Sequence, residues 1–391
     1  MRTIDVAERR ARLGMRHRLA PGTKAASPVE AAASVVGLHA TDPASVYLAA
    51  LARVDGFDVP TMERALYDER SLLKILGMRR TMFVVPRDLA AVIQAACTEA
   101  IAVRERRRDI GMLEAAGVPD AAQWLVDAEA ATIAALERRG DAVATELTKE
   151  VPALALQIPV GAGKAWQGTI GMSTRVLFLL SMTGQIIRGR PRGSWISSQY
   201  RWAPVDRWVP GGLERWDVEA ARVELVRRWL AAFGPGTVAD IQWWTGWALG
   251  ETRKAIAGLE TVEVDLDGAT GLVLADDAAP ATQPEPWLAF LPALDATVMG
   301  WTARDWYLGP HRAALYDTNG NAGPTIWWSG RVVGGWAQRP DGRIVSRLLE
   351  DVGADVAAAV DAEAARIEAW IGGVRITPRF RTPLEKELAA G

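Results

Sequence analysis

The sequence predicts an α+β fold, predominantly helical, with three tandem winged-helix units followed by a small β-barrel-like C-terminal domain. Helices followed by a β-hairpin, which is the order of a winged helix, recur along the chain. From Pro280 onward prolines become frequent and short apolar strands replace the helical pattern. A chain of 391 residues is also long for a single core, so several domains are expected.

The first predicted unit, residues 1–118, contains helices with clear start signals. Ser27-Pro28-Val29-Glu30 places a hydroxyl N-cap before a proline at the first helical position. Asp42-Pro43 repeats this signal for the next helix. Two short strands, 72–77 and 81–85, then form the predicted wing.

The second predicted unit, residues 119–210, repeats the order of helices and hairpin. A basic turn, Gly189–Gly193, is expected to join its two strands. The predicted elements are helices at 121–138, 142–150 and 169–182, a loop at 152–163, and strands at 185–188 and 195–200.

The third predicted unit, residues 211–280, contains the clearest helix-turn-helix pattern. Thr237 and Asp240 have the spacing of a capping box, and Thr245-Gly246 makes the turn between two helices. Asp267-Gly268 is a strong hairpin signal between two apolar strands. The last domain, 281–391, is expected to contain strands at 287–291, 325–328, 331–336, 344–348 and 374–381, and a helix at 354–370.

The composition excludes several classes of protein. Cys97 is the only cysteine, so a disulfide or a cysteine metal site is excluded. The N-terminus lacks the apolar core of a signal peptide, and no apolar run is long enough to span a membrane, so a cytoplasmic protein is expected. The three histidines are too scattered to predict a metal site, and no nucleotide-binding motif is present, so no cofactor is expected.

The charges are unevenly distributed, although the net charge is only −2. Between residues 164 and 207 seven lysines or arginines accompany a single acidic residue, Asp206. This local excess favours a surface that binds a polyanion. A solvated charged face is the alternative, and the charge pattern alone leaves both open.

The stretch from Gly37 to Pro43 combines several polar groups at a break between two helices. It contains His39, Thr41 and Asp42. Polar groups at such a break lie at the mouth of a groove or in a satisfied turn. For His39 the structural alternative is a helix-terminal residue bonded to a carbonyl, and for Asp42 it is an N-cap before Pro43.

Four stretches resemble the AlkZ-like family of bacterial DNA glycosylases: residues 36–53, 73–86, 291–295 and 330–336. The resemblance spans almost the whole chain. It implies tandem winged helices that line a basic channel for double-stranded DNA. It also implies a metal-independent, monofunctional enzyme without a cofactor, which is monomeric and nucleoid-associated and excises alkylated purines, often bulky N7 adducts or crosslinks.

The family's active-site motif, commonly Gln-x-Gln, falls on His39 and Thr41. Histidine in the first position is a variant within the family, whereas threonine in the second departs from its pattern. His39 could accept a proton from the attacking water, and the hydroxyl of Thr41 could hold that water in line. The carboxylate of Asp42 could offset the positive charge that develops on the sugar.

The candidate DNA-binding residues come mainly from the basic wings. Arg188, Arg190 and Arg192 alternate along the predicted hairpin tip, which suits contacts with successive phosphates. The full set is Arg79, Arg80, Lys164, Arg175, Arg188, Arg190, Arg192, Tyr200 and Arg201. Arg175 lies in the predicted recognition helix of the second unit. A non-catalytic winged-helix protein, either a regulator or a lesion sensor, is the alternative function.

Overall fold

The computed structural model describes residues 1–161 and 167–391, and the chain forms two compact units. The first unit comprises Met1–Met62, Phe83–Pro86 and Val223–Gly391, and the second comprises Glu63–Met82 and Arg87–Arg222. Within the described residues, no helix is both long and apolar enough to cross a membrane.

The helices have varied lengths and are distributed along the whole chain. In chain order they are α1 (Val6–Arg16), α2 (Pro28–Ser34), α3 (Pro43–Leu51), α4 (Val59–Glu63), α5 (Arg87–Ile93), α6 (Glu99–Ala115), α7 (Ala121–Arg139), α8 (Ala144–Glu150), α9 (Met172–Met182), α10 (Val205–Trp208), α11 (Val218–Phe233), α12 (Val238–Thr245), α13 (Leu249–Ala257), α14 (Asp305–Leu308), α15 (Arg312–Leu315), α16 (Ala354–Ile371) and α17 (Pro383–Ala390).

The strands are short and belong to small separate sheets. They are β1 (Arg2–Thr3), β2 (Leu38–His39), β3 (Leu72–Leu76), β4 (Met82–Pro86), β5 (Ala142–Val143), β6 (Gln157–Val160), β7 (Gly168–Gly171), β8 (Ile186–Pro191), β9 (Tyr200–Pro204), β10 (Thr261–Leu266), β11 (Ala269–Leu274), β12 (Leu288–Leu291), β13 (Thr325–Trp328), β14 (Arg331–Gln338) and β15 (Ile344–Leu348).

The helix start signals of the sequence are confirmed by the capping hydrogen bonds. The hydroxyl of Ser27 accepts from the backbone N–H of Glu30 at the start of α2. Asp42 caps α3 by accepting from the N–H of Ala44. At the start of α12, Thr237 and Asp240 form the predicted reciprocal capping box. Each signal is local, so each helix start could be predicted from a few residues.

The predicted hairpin at Asp267-Gly268 is present between β10 and β11. Both turn residues have positive φ, +53° and +93°, as a two-residue turn between twisted strands requires. The sequence did not predict that β1, at the start of the chain, pairs in parallel with β10. This pairing completes a three-stranded sheet in the first unit.

The second unit has a helical core with a small sheet, β5-β9-β8, and the hairpin β6-β7. The predicted loop at 152–163 is wrong at 157–160, its residues 162–163 lie outside the described residues, and the start of the predicted helix at 169 is wrong. Residues 157–160 and 168–171 form the hairpin β6-β7, and α9 begins only at Met172. The predicted helix α7 is confirmed; it ends at Arg139, and its C-cap is Gly140, whose φ is +85°.

The C-terminal sheet contains four antiparallel strands in the order β12-β13-β14-β15. Each strand pairs with its neighbour in sequence, and β12 does not pair with β15 among the described strands, so the sheet is open. The expected barrel is therefore wrong. The predicted strand at 374–381 is also wrong, because this segment joins no sheet and α17 follows it.

Most of the helices and strands predicted from the sequence are present in the structure. The assignment of three winged-helix units, with boundaries at 118, 210 and 280, nevertheless stays a prediction. The two compact units follow a different division, because the first unit joins segments from both ends of the chain.

Candidate functional site

His39 lies at the end of a short strand that a strained turn introduces. Val36 has φ of +54°, which is unusual for a β-branched residue, and Gly37 follows with φ of +116°. The turn follows α2 and leads the chain into β2, where His39 pairs with Phe83 of β4. The turn therefore determines where the imidazole lies.

The imidazole of His39 and the hydroxyl of Thr41 are both buried in the first unit. His39 is 5% exposed, and its ring meets that of Phe83 edge-on with the ring centroids 5.3 Å apart. The Oγ1 atom of Thr41 is buried and has no hydrogen-bond partner among the described residues. A buried hydroxyl without a partner costs stability and is rare in native structures. Such an atom is a candidate for binding a water molecule or a substrate.

The carboxylate of Asp42 holds two backbone N–H groups. Its Oδ1 accepts from Ala44 at 3.1 Å, which caps α3, and its Oδ2 accepts from Arg379 at 3.1 Å. The side chain is buried and lines a small cavity together with Trp336 and Gln338, among others. Neither His39 nor Thr41 lines this cavity. These bonds favour a structural role for Asp42 over a direct role in catalysis.

Arg175 lies on α9 but is buried among carboxylates of the second unit. Its guanidinium donates to Glu105 and to Asp109, each at 2.7 Å. Burial raises the pKa of Asp109, although its bonds to Arg175 act in the opposite direction. A guanidinium that is 7% exposed and bound to two carboxylates supports a structural role rather than phosphate contact.

Arg188 and Arg190 lie within the strand β8 and not at the hairpin tip expected from the sequence. The guanidinium of Arg188 lies 4.4 Å from the ring centroid of Trp202, and burial lowers its pKa to about 10. Arg190 is exposed and forms ion pairs with Glu63 at 2.6 Å and Asp68 at 3.1 Å. The charge of Arg190 is therefore already compensated by the protein.

The remaining candidates differ in how their side chains are engaged. Arg201 pairs with Asp141 at 2.7 Å, and Arg80 pairs with Glu105 at 3.0 Å. The hydroxyl of Tyr200 accepts a hydrogen bond from Lys74, and Arg79 is half-buried. Arg192 is exposed and has no ion pair among the described residues. Lys164 lies outside those residues. His39, Thr41 and Asp42 belong to the first unit, whereas the candidates for DNA binding that the structure describes belong to the second.

The sequence analysis missed a buried polar network in the first unit. Arg53 and Asp295 form a fully buried bidentate pair, and Arg53 also donates to the hydroxyl of Thr297 at 2.8 Å. The Nε2–H of His17 donates to the carbonyl of Ala232, so its Nδ1 accepts from Thr297. Burial and the nearby Arg53 lower the pKa of His17 to about 3. The network connects residues 17, 53, 232, 295 and 297, which all belong to the first unit.

A metal site is not visible among the described residues, because none of their His, Cys, Asp and Glu side chains form a cluster of three or more suited to a metal ion. The candidate catalytic groups are the imidazole of His39 and the hydroxyl of Thr41, both of which are buried.

Comparisons with known proteins agree with the resemblance found in the sequence. Residues 32–370 match the family described as DNA glycosylase AlkZ-like. The fold is similar to that of Streptomyces sahachiroi DNA glycosylase AlkZ, with a TM-score of 0.71 and 21% identity over 96% of this chain and 99% of that chain. No curated protein sequence matches the chain significantly. Because the family match covers most of the sequence, the chain belongs to the AlkZ-like DNA glycosylase family.

Proposed function

We propose that this protein is a monofunctional, metal-independent glycosylase that hydrolyses the N-glycosidic bond of alkylated purines in double-stranded DNA. The substrate class comprises bulky N7 adducts or crosslinks, and the protein acts as a monomer. The main support is the burial of the His39 side chain and of the Oγ1 atom of Thr41, which has no hydrogen-bond partner among the described residues.

The chemistry of this lesion class suits a site with few functional groups. An N7-alkylated purine is already a cationic leaving group, so bond cleavage needs no strong general acid. The enzyme has to orient a water molecule and stabilise the positive charge that develops on the sugar. Neutral His39 accepts the proton of that water, and Thr41 holds its oxygen in line.

Base release from defined duplexes tests this proposal. We expect the wild-type protein to produce abasic sites in duplexes that carry N7-methylguanine or a bulky N7-alkylguanine, measured as strand cleavage after mild alkaline treatment. His39→Ala should lower the single-turnover rate by about 10²–10⁴-fold, because a proton acceptor is lost. The affinity for the duplex should change little, since no phosphate contact is removed.

His311→Ala provides a matched control, because it removes another histidine of the first unit outside the candidate pair. It should retain the wild-type rate. If the wild-type protein releases no base from any duplex of the panel, or if His39→Ala retains the full rate, the proposal fails.

A non-catalytic DNA-binding protein is the second candidate function. It is favoured by one observation, the threonine at position 41 where the family motif commonly has glutamine. This function predicts salt-dependent duplex binding without turnover. Base release by His39→Gln/Thr41→Gln but not by the wild type would support it, because the scaffold would then have lost only the motif.

A further inference from the structure

The segment 374–381, between α16 and α17, is held in place by buried side chains instead of by a sheet. We call it the tail segment. Gln338 is 9% exposed; its Nε2 donates to the carbonyl of Val374 and its Oε1 accepts from the N–H of Ile376. Further along, the N–H of Arg379 donates to Asp42. Two buried polar side chains of the first unit therefore fix both halves of the segment.

The side chains of the tail segment alternate between the protein and solvent. Ile376 and Pro378 line the small cavity beside Asp42, whereas Arg375, Thr377 and Arg379 are exposed. The exposed row therefore carries two guanidinium groups, those of Arg375 and Arg379.

Neither exposed arginine of the row has an ion-pair partner in the part of the chain that the structure describes. The guanidinium of Arg375 donates to the carbonyls of Pro340 and Asp341, which orient the group without neutralising it. Among the described residues, Arg379 is anchored through its backbone N–H, which donates to Asp42. By contrast, Arg381 is paired with Glu385 at 2.7 Å. The positive charges at 375 and 379 are thus available to an external anion.

Asp42 connects this row to the candidate catalytic pair, because it directly follows Thr41 in the sequence. Its carboxylate caps α3 with one oxygen and holds the tail segment with the other. The same carboxylate therefore fixes the position of Arg379 relative to the backbone that carries Thr41. A positive charge at that place suits a DNA phosphate beside the damaged nucleotide.

We infer that Asp42 is a positioning residue that holds the tail segment so that Arg379, assisted by Arg375, binds phosphates of the DNA strand next to the candidate site. This inference rests on the proposed function for the location of the site. It assigns to Asp42 a part in binding DNA, in place of a part in stabilising the sugar.

Arg379→Gln tests the charge directly, because the substitution retains the backbone N–H that Asp42 accepts. The probe is a duplex with a central tetrahydrofuran abasic-site analogue, and its dissociation constant is measured across a series of KCl concentrations. The slope of the logarithm of affinity against the logarithm of salt should decrease in magnitude by about 0.9, as expected for one lost phosphate contact. Arg366→Gln, which removes an arginine paired with Glu363, is the control and should leave the slope nearly unchanged.

Asp42→Asn tests the positioning role, because the side chain of asparagine has one acceptor oxygen and cannot accept from the N–H groups of both Ala44 and Arg379. We expect weaker duplex binding, and the double variant with Arg379→Gln should bind no more weakly than Asp42→Asn alone. Gln338→Met detaches the other half of the tail segment and leaves Asp42 intact. It should weaken binding in the same way, so a folding defect of one variant does not decide the result.

Two outcomes would overturn the inference. One is an Arg379→Gln variant with the salt slope of the wild type. The other is an Asp42→Asn variant with wild-type affinity but a reduced rate of base release at saturating protein, since Asp42 would then act on the chemistry. Binding is measured without turnover, so a protein that releases no base can still confirm or refute the contact.

Discussion

Thr41 and Thr297 have the same side chain in opposite surroundings. The hydroxyl of Thr41 is buried without a hydrogen-bond partner among the described residues. The hydroxyl of Thr297 accepts from Arg53 and donates to His17. Since an unsatisfied buried hydroxyl lowers stability and a satisfied one raises it, the two threonines should respond differently to removal of the hydroxyl.

Thr41→Val should leave the free energy of unfolding unchanged or raise it by about 1 kcal/mol, while it slows base release. Thr297→Val should lower the free energy of unfolding by about 2 kcal/mol, because Arg53 and His17 lose a buried partner. Urea denaturation at constant pH measures both. A loss of stability in Thr41→Val as large as that in Thr297→Val would show that the hydroxyl of Thr41 has a structural role.

His17 makes stability depend on pH because burial holds its pKa at about 3, below the value of about 6.5 expected in the unfolded chain. Between these values the unfolded state binds more protons than the folded state. The contribution of neutral His17 to the free energy of unfolding is therefore present in full above pH 6.5 and is lost as the pH falls towards 3. The bond from the hydroxyl of Thr297 to Nδ1 requires the neutral ring, whereas the carbonyl of Ala232 can accept from Nε2–H in either state.

His17→Asn removes this titration. The wild type should lose about 2 kcal/mol more than the variant in free energy of unfolding between pH 7 and pH 5, measured by urea denaturation. The variant should be less stable at pH 7, since it loses buried hydrogen bonds. If the free energy of unfolding changes equally with pH in the two proteins over this range, the pKa of His17 is not lowered.

The turn before β2 is the element that determines the position of His39. A Cβ atom at residue 37 would lie 2.7 Å from Cγ1 of Val85, and φ of +116° is unfavourable for any residue other than glycine. Gly56 also has positive φ, +62°, but a Cβ atom there would meet nothing within 4 Å. The two glycines therefore separate backbone strain from steric overlap.

Gly37→Ala should lower the free energy of unfolding by about 3 kcal/mol and slow base release, because strain and overlap both act on β2. Gly56→Ala should cost only about 1 kcal/mol and leave base release unchanged. Thermal unfolding and the duplex assay together measure these effects. Equal losses of stability in the two variants would mean that Val85 moves aside at little cost.

Elements with local signals could be predicted from the sequence, and elements that depend on distant partners could not. The caps that Ser27 and Asp42 form on α2 and α3, and the turn at Asp267-Gly268, each join residues a few positions apart, so the sequence pattern was sufficient. The pairing of β1 with β10 joins residues that are far apart in sequence. The tail segment was predicted to be a strand, but it joins no sheet, and side chains of residues distant in sequence hold it.

The candidate site likewise could be predicted from the sequence only where its residues are close together in the chain. The motif at residues 39 and 41 is local and was visible in the sequence through the family resemblance. The ion pairs that neutralise the basic region are not local, because Arg175 pairs with residues of another helix and Arg190 pairs with residues more than 120 positions away. The sequence therefore predicted an excess of positive charge without showing how much of it remains available.

The charge of the whole molecule is −2, so binding to DNA depends on which arginines lack an acidic partner. Arg190 already has two carboxylates within 3.1 Å, whereas Arg192 is exposed and has no ion pair among the described residues. A phosphate binds less favourably to an arginine whose ion pairs with carboxylates must first be broken. The two positions therefore provide a comparison of paired and available charge on one hairpin.

Arg192→Gln should reduce the magnitude of the salt slope for duplex binding by about 0.9, which corresponds to one phosphate contact. Arg190→Gln should change the slope less, although it removes the same charge, because that charge is neutralised before DNA binds. Fluorescence anisotropy of a labelled undamaged duplex at several KCl concentrations measures both slopes. If Arg190→Gln lowers the slope as much as Arg192→Gln, DNA must displace Glu63 and Asp68 on binding, and pairing within the free protein would then be no guide to the DNA-binding surface.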